Sequence, residues 1–265
     1  MVTRARVGPG DDAVSMTRVP DVVAVEEPMT IRLDDTVVST TMRTPGNDFD
    51  LAVGFCFTEG LLGDAPVDAV RYCATGSAVE TEFNTVSVST QGRAPTPTPR
   101  LGTTSSSCGW CGAEMLEHMC ERLVPHVEVA AVDIAVLVGV ADSVREHQQL
   151  FEHTGAVHAA ASFDPDGSIR AVREDIGRHN AVDKVIGSMV LAGELPATGL
   201  GLFVSGRASV EMVQKAWSAG FSTLVAVSAP TVLAVQTARR AGLVLAGFLR
   251  DDVINVYSPE RPSRA

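Results

Sequence analysis

The sequence predicts an α/β protein, α+β overall, in which a layered C-terminal α/β domain follows a smaller, β-rich N-terminal region. Three observations support this prediction. From about residue 125, helical and strand patterns alternate, which is typical of helices packed on a sheet. Before residue 91, short runs with strand character dominate. Between the two regions, residues 91–107 are rich in Pro, Ser, Thr and Gly and show no periodicity, which predicts a long mobile loop.

The N-terminal region is predicted from short apolar patterns. Residues 1–18 are polar and form a flexible arm, and residues 19–103 form the β-rich region with one helix. Its predicted strands are DVVAV, MTIRL, TVVSTTM and NTVSVST. Asp48 is predicted to cap the helix, which ends near Gly60 or Gly63 and turns Thr58 outward. Residues 104–124 form a loop with two cysteines and a following helix.

The C-terminal domain is predicted over residues 125–258, followed by a flexible tail at 259–265. A helix at ADSVREHQQLFEHTG precedes the strand VHAAASF, and DPDG is a hairpin turn into the strand IRAVRED. Helices and strands then alternate on a largely parallel sheet. The predicted segments are GRHNAVDKVIGSMVLAG, GLFVSG, ASVEMVQKAWSAG, TLVAVSA, TVLAVQTARRAG, LVLAGFLR and VINVYS.

Composition excludes some classes of function. The 265 residues carry a net charge of −11, whereas a general nucleic-acid binder is normally basic. Any anionic ligand must therefore meet a local basic patch. The N-terminus has no apolar signal segment. Residues 216–238 are uncharged, but they contain polar residues and a proline and predict strand, turn and helix instead of a membrane span. We expect a cytoplasmic protein.

The segment TSSSCGWCGAEM, residues 104–115, places Cys108 and Cys111 in a CxxC pair ahead of a helix. In a reducing cytoplasm the five cysteines are expected to be thiols, which favours a chemical or metal-binding role for this pair. A structural zinc site commonly uses two such pairs, and this chain has one. Redox motifs of this kind usually follow the first strand of a βαβ unit, and here a long loop precedes the pair.

A single reactive sulfur is the third possibility for the pair. The N-terminus of the helix at residue 113 would lower the thiol pKa, and Glu114 and Glu117 would oppose that shift. A sulfur at the tip of a mobile loop suits a group carrier. Cys111 then has a supporting or structural role. The three other cysteines lie on apolar faces and are predicted to belong to the core; they are Cys56, Cys73 and Cys120.

A second polar cluster lies where strands of the C-terminal domain pass into helices, which is where open α/β sheets bind ligands. The segments are VREDIGRHNAVDKVIG and FVSGRASVEMVQKA. Their glycines and helix N-termini could receive phosphate, and Arg250 after another strand could bridge a pyrophosphate. The alternative to a binding site is that these polar residues form ion pairs on a solvated rim. The polar residues are Arg173, Asp175, Arg178, His179, Asp183, Lys184, Ser205, Arg207, Ser209, Glu211 and Lys215.

A zinc deaminase is the instructive rival for this domain. Deamination needs an H-x-E motif followed by P-C-x-x-C. The matching segment here is His158-Ala159-Ala160, and no CxxC follows it. The chain therefore lacks the general acid/base and the zinc thiolates. We predict no permanently bound metal.

Together these segments resemble the FdhD family, the sulfur-carrier accessory proteins of formate dehydrogenase. The resemblance rests on TSSSCGWCG, VHAAASF, VREDIGRHNAVDKVIG, FVSGRASVEMVQKA and GFLRDDVINVYS, and it spans about residues 20–258. The stretch REDIGRHNAVDK is the most specific part. The resemblance implies a C-terminal domain similar to the cytidine deaminase fold without its zinc chemistry, and a homodimer.

The resemblance also implies a mechanism. Family members take persulfide sulfur from a cysteine desulfurase and pass it to the molybdenum or tungsten bis(molybdopterin guanine dinucleotide) cofactor of formate dehydrogenase. Cys108 matches the persulfide carrier and Cys111 the second cysteine. The family's cofactor-binding segment matches Phe248, Leu249, Arg250, Asp251, Asp252 and Val253. Because Asp251 and Asp252 are acidic, phosphate contacts are expected from backbone amides and Arg250.

Two alternatives of other classes stay open at this stage. One is a cofactor chaperone that binds and delivers the molybdenum cofactor without carrying sulfur. The other is a thiol oxidoreductase, which predicts a Cys108–Cys111 disulfide with a measurable reduction potential. The carrier would be sulfurtransferase-like, and its expected partners are the desulfurase and formate dehydrogenase, without nucleic acid or membrane.

Overall fold

The computed structural model describes residues 1–7, 14–73, 78–79, 81–96, 133–250 and 253–259. These residues form twelve strands and six helices, arranged as a hairpin, a four-stranded sheet and a six-stranded sheet. The predicted CxxC loop and helix at 104–124 lie outside the described residues, as do Asp251 and Asp252. The α/β class is confirmed in its coarse form, as a mixed α/β protein.

The N-terminal hairpin consists of β1 (Val2–Val7) and β2 (Val14–Val19), which pair antiparallel. The sequence predicted an arm without regular structure here. The alternating valines and polar residues of both segments favour extended pairing. Almost all side chains of both strands are exposed, so the hairpin adds little to the core.

The four-stranded sheet follows in the order β4-β3-β6-β5. Its strands are β3 (Glu27–Leu33), β4 (Thr36–Arg43), β5 (Ala69–Tyr72) and β6 (Thr85–Ser89). Alternate residues of β3 point into the core, where Met29, Ile31 and Leu33 are at most 1% exposed. The strand predicted at DVVAV is wrong. Val22, Val23 and Val25 are each more than half exposed, so that segment has no buried face that would hold it in a sheet.

Helix α1 (Asp48–Thr58) packs on this sheet and is reached through Asn47, whose backbone is left-handed with φ 53°. Asp48 begins the helix but does not cap it. Its carboxylate accepts from Arg43 Nε at 3.1 Å and from Arg43 Nη2 at 3.0 Å. Thr58, predicted to face outward, is 3% exposed and bonds to the C-terminal region.

The six-stranded sheet has the order β12-β11-β10-β9-β7-β8. Its strands are β7 (His158–Phe163), β8 (Ile169–Asp175), β9 (Gly201–Val204), β10 (Thr223–Ala226), β11 (Val244–Arg250) and β12 (Val253–Ser258). The expectation of a largely parallel sheet is wrong, because two of its five pairings are parallel and three antiparallel. Few residues separate β7 from β8 and β11 from β12 along the chain, and strands joined by so short a connection can pair only antiparallel.

Five helices accompany this sheet. They are α2 (Ile134–Arg145), α3 (Gln149–Thr154), α4 (Arg178–Ala192), α5 (Val210–Ser218) and α6 (Val232–Ala241). Helices α4, α5 and α6 cover one face, where Leu202, Leu224 and Leu245 are buried. Helix α2 covers the other face, against Phe203 and Val225. The predicted layers are therefore present, and no described helix has the length and apolar character that crossing a membrane requires.

The N-terminal and C-terminal regions meet where α1 crosses α4. At this crossing each backbone lies against the other, because both helices have glycine at the contact. A Cβ on Gly54 would lie 1.8 Å from the carbonyl oxygen of Asp183, and one on Gly187 would lie 1.8 Å from that of Asp50. Polar side chains surround this contact and connect the two regions.

Candidate functional site

One edge of the six-stranded sheet collects the predicted polar turns. The register places His158, which begins β7, opposite Asp175, which ends β8. It also places Val204, at the end of β9, beside Ala226, at the end of β10. The carboxyl end of β11 lies at the same edge, since β11 runs parallel to β10. We call this edge the carboxyl edge; it comprises His158, residues 175–179, 205–211, 227–231, 247–250 and Val253.

Backbone hydrogen bonds connect neighbouring segments of the carboxyl edge. Ser228 N donates to Gly206 O at 3.4 Å, and Phe248 N donates to Ser228 O at 3.3 Å. Gly247 allows this approach, because a Cβ there would lie 2.9 Å from Ser228 O. The loops after β9 and β10 and the last residues of β11 are thus held together by the main chain.

Arg178 and His158 lie side by side over Gly206. A Cβ on Gly206 would be 3.4 Å from Arg178 Cδ and 3.6 Å from His158 Cε1. His158 Nδ1 lies 3.3 Å from Ser205 Oγ, which accepts from Ala159 N at 3.0 Å. The hydroxyl can donate to Nδ1 or accept from it, so this contact fixes the orientation of the ring, and Nε2 is left free of Ser205.

Both histidines of the edge are held in the neutral form. Burial, followed by the nearby Arg178 guanidinium, lowers the pKa of His158. Burial, followed by the charges of Lys215 and Arg178, lowers the pKa of His179 to about 4. Near pH 7 these rings therefore offer neutral hydrogen-bonding groups, and the positive charge of this part of the rim comes from arginine.

Arg178 has unused hydrogen-bonding capacity. Its Nε atom is buried and has no partner within the part of the chain that the structure describes. Glu211, at the start of α5, interacts electrostatically with Arg178 and His179, which moderates the local positive charge. Arg207, in the next loop, is exposed. Guanidinium groups suit planar anions such as carboxylate and phosphate, and at Arg178 the buried Nε leaves the terminal nitrogens as the groups that would make such contacts.

The segment 248–253 contributes three exposed side chains to the edge. Phe248 is 45% exposed and has φ 55°, an unusual backbone conformation for a bulky residue. Val253 is 59% exposed, and Arg250, opposite it in the hairpin, is also exposed. Leu249 differs, because its side chain is 4% exposed and packs in the core beneath the sheet. A ligand could reach Leu249 only through its backbone.

Several charged residues of the two predicted motifs belong to ion pairs. Arg173 Nε lies 2.9 Å from Asp50 Oδ2, and Lys184 Nζ lies 2.7 Å from Asp175 Oδ2. These residues form ion pairs, as the alternative expected, but the pair of Lys184 with Asp175 is buried and does not lie on a solvated rim.

Lys215, at the end of the second motif, is likewise engaged. Its Nζ lies 2.8 Å from Asp183 Oδ1 and donates to Thr58 Oγ1 at 2.8 Å. Although burial alone would lower it, the carboxylates of Asp183 and Glu59 raise the pKa of Lys215. Lys215 is therefore charged but turned away from solvent, with 4% of its surface exposed. It is not positioned to bind a ligand at the carboxyl edge.

The carrier Cys108 is predicted at the tip of a loop ahead of a helix, and neither cysteine in the described residues has such an environment. Cys56 is fully buried in α1, and burial strongly raises the pKa of its thiol. Cys73 is partly buried, with Sγ 3.6 Å from Thr81 Oγ1. Cys108 and Cys111 lie outside the described residues. Among the described residues, no group of three or more His, Cys, Asp or Glu is arranged to hold a metal ion.

Sequence reasoning missed two features of this site. One is Ser228, whose backbone joins the loop after β9 to strand β11. It lies just after the predicted strand TLVAVSA, and a position at the end of a strand is a signal that sequence reasoning can use. Thr44 contacts the first motif from the N-terminal region, as described below. It lies in the unremarkable segment RTPG, and nothing in its neighbours along the chain indicates that contact.

Comparisons with known proteins agree with one another. The model of the FdhD/NarQ family matches residues 24–263. A sulfur carrier protein FdhD of Mycolicibacterium paratuberculosis is 44% identical over 246 residues, which is 90% of each chain. One of Mycobacterium tuberculosis is 45% identical over 251 residues, again 90% of each chain. A crystal structure from Desulfotalea psychrophila, described as a formate dehydrogenase accessory protein, has a TM-score of 0.72 at 26% identity and covers 98% of this chain and 97% of its own.

Proposed function

The chain belongs to the FdhD/NarQ family, and we propose that it is a sulfur carrier that accepts persulfide sulfur on Cys108 and delivers it to the cofactor of formate dehydrogenase. The donor is a cysteine desulfurase. The acceptor is the molybdenum or tungsten bis(molybdopterin guanine dinucleotide) cofactor, which this protein handles as a substrate. The observation that carries the proposal is the match to relatives named as sulfur carriers at 42–46% identity over at least 90% of this chain.

The loading step needs no external oxidant. The Cys108 thiolate attacks the terminal sulfur of the desulfurase persulfide. A new S–S bond forms at Cys108, the S–S bond of the donor breaks, and the donor cysteine leaves as a thiolate that takes up a proton. The nucleophile must be a thiolate, which favours a cysteine near a helix N-terminus over a buried one. Cys56 is excluded on this ground, because burial raises the pKa of its thiol.

The carboxyl edge supports the second half of the proposal, which is recognition of a nucleotide-bearing cofactor. The chain has a net charge of −11, so a polyphosphate needs local cations. Arg178 lies half-buried at the carboxyl edge, and Arg207 and Arg250 are exposed there. The exposed ring of Phe248 offers a surface on which guanine could stack. We also propose that the protein works as a homodimer in the cytoplasm.

A second candidate function is a cofactor chaperone that carries no sulfur. The carboxyl edge favours it as much as it favours a carrier, since a binding site for an anionic nucleotide serves both. The two differ in a single property, which is whether sulfur ever resides on Cys108.

Intact-protein mass spectrometry tests this difference. The full chain is incubated with a cysteine desulfurase and cysteine, beside the variants Cys108→Ala and Cys56→Ala. We expect wild type and Cys56→Ala to gain the mass of sulfur, reversibly with reductant, and Cys108→Ala to gain none. Cys111→Ala should retain part of the loading. Wild type that stays unmodified would contradict the carrier and leave the chaperone.

A further inference from the structure

Thr44, just after β4 in the N-terminal region, bonds to the C-terminal motif through all three of its polar atoms. Its amide donates to Asp175 Oδ2 at 3.1 Å, and its hydroxyl accepts from the amide of Ile176 at 3.0 Å. Its carbonyl accepts from Lys184 Nζ at 2.9 Å. Thr44 is 5% exposed, so water does not compete effectively for these bonds. One residue thus holds the end of β8 and the first turns of α4.

Asp175 completes this connection from the other side. Its Oδ2 accepts from Thr44 N and from Lys184, while Oδ1 accepts from Gly177 N at 2.8 Å and from Asn180 Nδ2 at 2.9 Å. The carboxylate is fully buried and bonded at both oxygens. The backbone from 175 to 177 is therefore fixed in one conformation, and Arg178 and His179 follow it directly.

Asn180 adds a second link to the same strand. Its Nδ2 donates to Met42 O at 2.8 Å as well as to Asp175. The end of β4 therefore holds the segment 175–180 at two points, on either side of the two residues that face the carboxyl edge.

We infer that Thr44 is a positioning residue for the carboxyl edge: it holds the turn at 176–179 so that Arg178 meets the nucleotide part of the cofactor. This inference rests on the proposed function, since it names a determinant of binding at that same site. Thr44 is itself buried and is not a group that a ligand would contact. It acts through Ile176 and Asp175, and small displacements of a guanidinium weaken a directional hydrogen bond to phosphate.

The test uses guanosine diphosphate as the probe, because it carries the guanosine and two phosphates of the proposed cofactor. Binding to the full chain is measured by isothermal titration calorimetry. Thr44→Val keeps the shape of the side chain and removes the hydroxyl that accepts from Ile176. We expect it to bind about tenfold more weakly than wild type. Thr44→Ser keeps the hydroxyl and should restore binding.

Thr58→Val is the matched control. Thr58 is also a buried threonine at the junction of the two regions, 3% exposed, and its hydroxyl bonds to Asp183 at 2.8 Å. Its hydroxyl bonds to Phe55, Asp183 and Lys215, and not to Ile176 or Asp175. Thr58→Val should lower stability in urea about as much as Thr44→Val does. Its affinity for guanosine diphosphate should stay within about twofold of that of wild type.

Wild type and Thr44→Val together distinguish a failure of the positioning role from a failure of the nucleotide site. If wild type binds and Thr44→Val binds equally well, the positioning role is wrong and the nucleotide site stands. If wild type does not bind, the nucleotide site of the proposed function fails, and the inference fails with it.

Hydrogen exchange of wild type covers the case in which Thr44→Val does not fold. The probe should slow exchange of the Thr44 and Ile176 amides more than that of the Glu59 amide. Equal protection at all three amides would overturn the inference.

Discussion

Lys184 and Arg178 lie six residues apart on α4, and both belong to the same charged motif, yet their surroundings differ. Lys184 is 1% exposed and its ammonium contacts Asp175, Thr44 and Glu174, so its donors are used inside the protein. Arg178 lies at the carboxyl edge beside His158, and its Nε is buried without a partner among the described residues. The comparison separates charges that join the two regions from charges that are left available to a ligand.

This difference follows from where each residue lies on α4. Residues that face α1 and β4 are buried when the two regions meet, and a buried charge must be paired. Arg178 and His179, the first two residues of the helix, lie at the carboxyl edge and are only partly buried. The four predictions below, ordered by expected effect, separate the junction from the edge.

The largest effect is expected where the N-terminal and C-terminal regions meet, at the buried pair of Lys215 and Asp183. Lys215→Met leaves the fully buried Asp183 carboxylate without its cation and should lower the free energy of unfolding by about 3–5 kcal/mol. Urea denaturation followed by circular dichroism measures it. Arg170→Met breaks an exposed pair with Asp164 and serves as the control, with stability close to wild type. Equal stability of Lys215→Met and wild type would show that the buried pair is not needed.

Stability should also depend on pH through His179. Its pKa in the folded protein is about 4, below its ordinary value of 6.5, so the unfolded chain takes up the proton first as pH falls. His179 therefore destabilises the fold progressively from pH 6.5 down to 4, by about 3 kcal/mol in total. His179→Gln should flatten this part of the urea-stability profile, whereas His153→Gln, at an exposed position, should not. Parallel profiles for all three proteins would contradict the lowered pKa.

At the edge, the expected effect is on binding. Arg178→Gln should weaken guanosine diphosphate binding by about tenfold or more, as loss of a charge-assisted hydrogen bond to phosphate would. Unfolding in urea should change little. Arg240→Gln, an exposed arginine at the end of α6, is the control and should bind like wild type. Unchanged affinity in Arg178→Gln would remove this residue from the site.

The smallest effect is expected at Phe248, and it should have opposite signs for stability and binding. Phe248 has φ 55°, which is strained for a residue with a side chain. Phe248→Gly relieves this strain and should raise the free energy of unfolding by up to about 1 kcal/mol. The same change removes the exposed ring and should weaken guanosine diphosphate binding by severalfold. Phe248→Leu is the comparison, because it keeps the strain and loses the aromatic face. Full affinity in both variants would contradict stacking.

Most of the C-terminal domain could be predicted, because its strands and helices have strong periodicity and clear turns. On α4 the five apolar residues at helical spacing are all at most 2% exposed; they are Ala181, Val182, Val185, Ile186 and Met189. The direction of the strands was harder to predict, because periodicity does not distinguish a parallel from an antiparallel neighbour. The DVVAV segment failed because strand propensity alone does not supply a partner.

The candidate site was predicted in part for a related reason. The ends of the predicted strands indicated that Arg178, Ser205 and Arg250 lie close to one another, and the structure places all three at the carboxyl edge. Whether a charged residue would face that edge or a partner depended on a contact between distant segments. Lys215 and Asp183 are 32 residues apart, and Thr44 is 131 residues from Asp175, so local sequence could not assign their roles.

Sulfur transfer is the central claim, and a labelled single turnover tests it most directly. The full chain is loaded with isotopically labelled sulfur on Cys108, freed of donor, and mixed with formate dehydrogenase whose cofactor lacks that sulfur. We predict that the label leaves the chain and appears in the enzyme in proportion to the activity gained, and that Cys108→Ala supports neither. If activity appeared while the label stayed on the chain, the protein would be delivering a cofactor and not its sulfur.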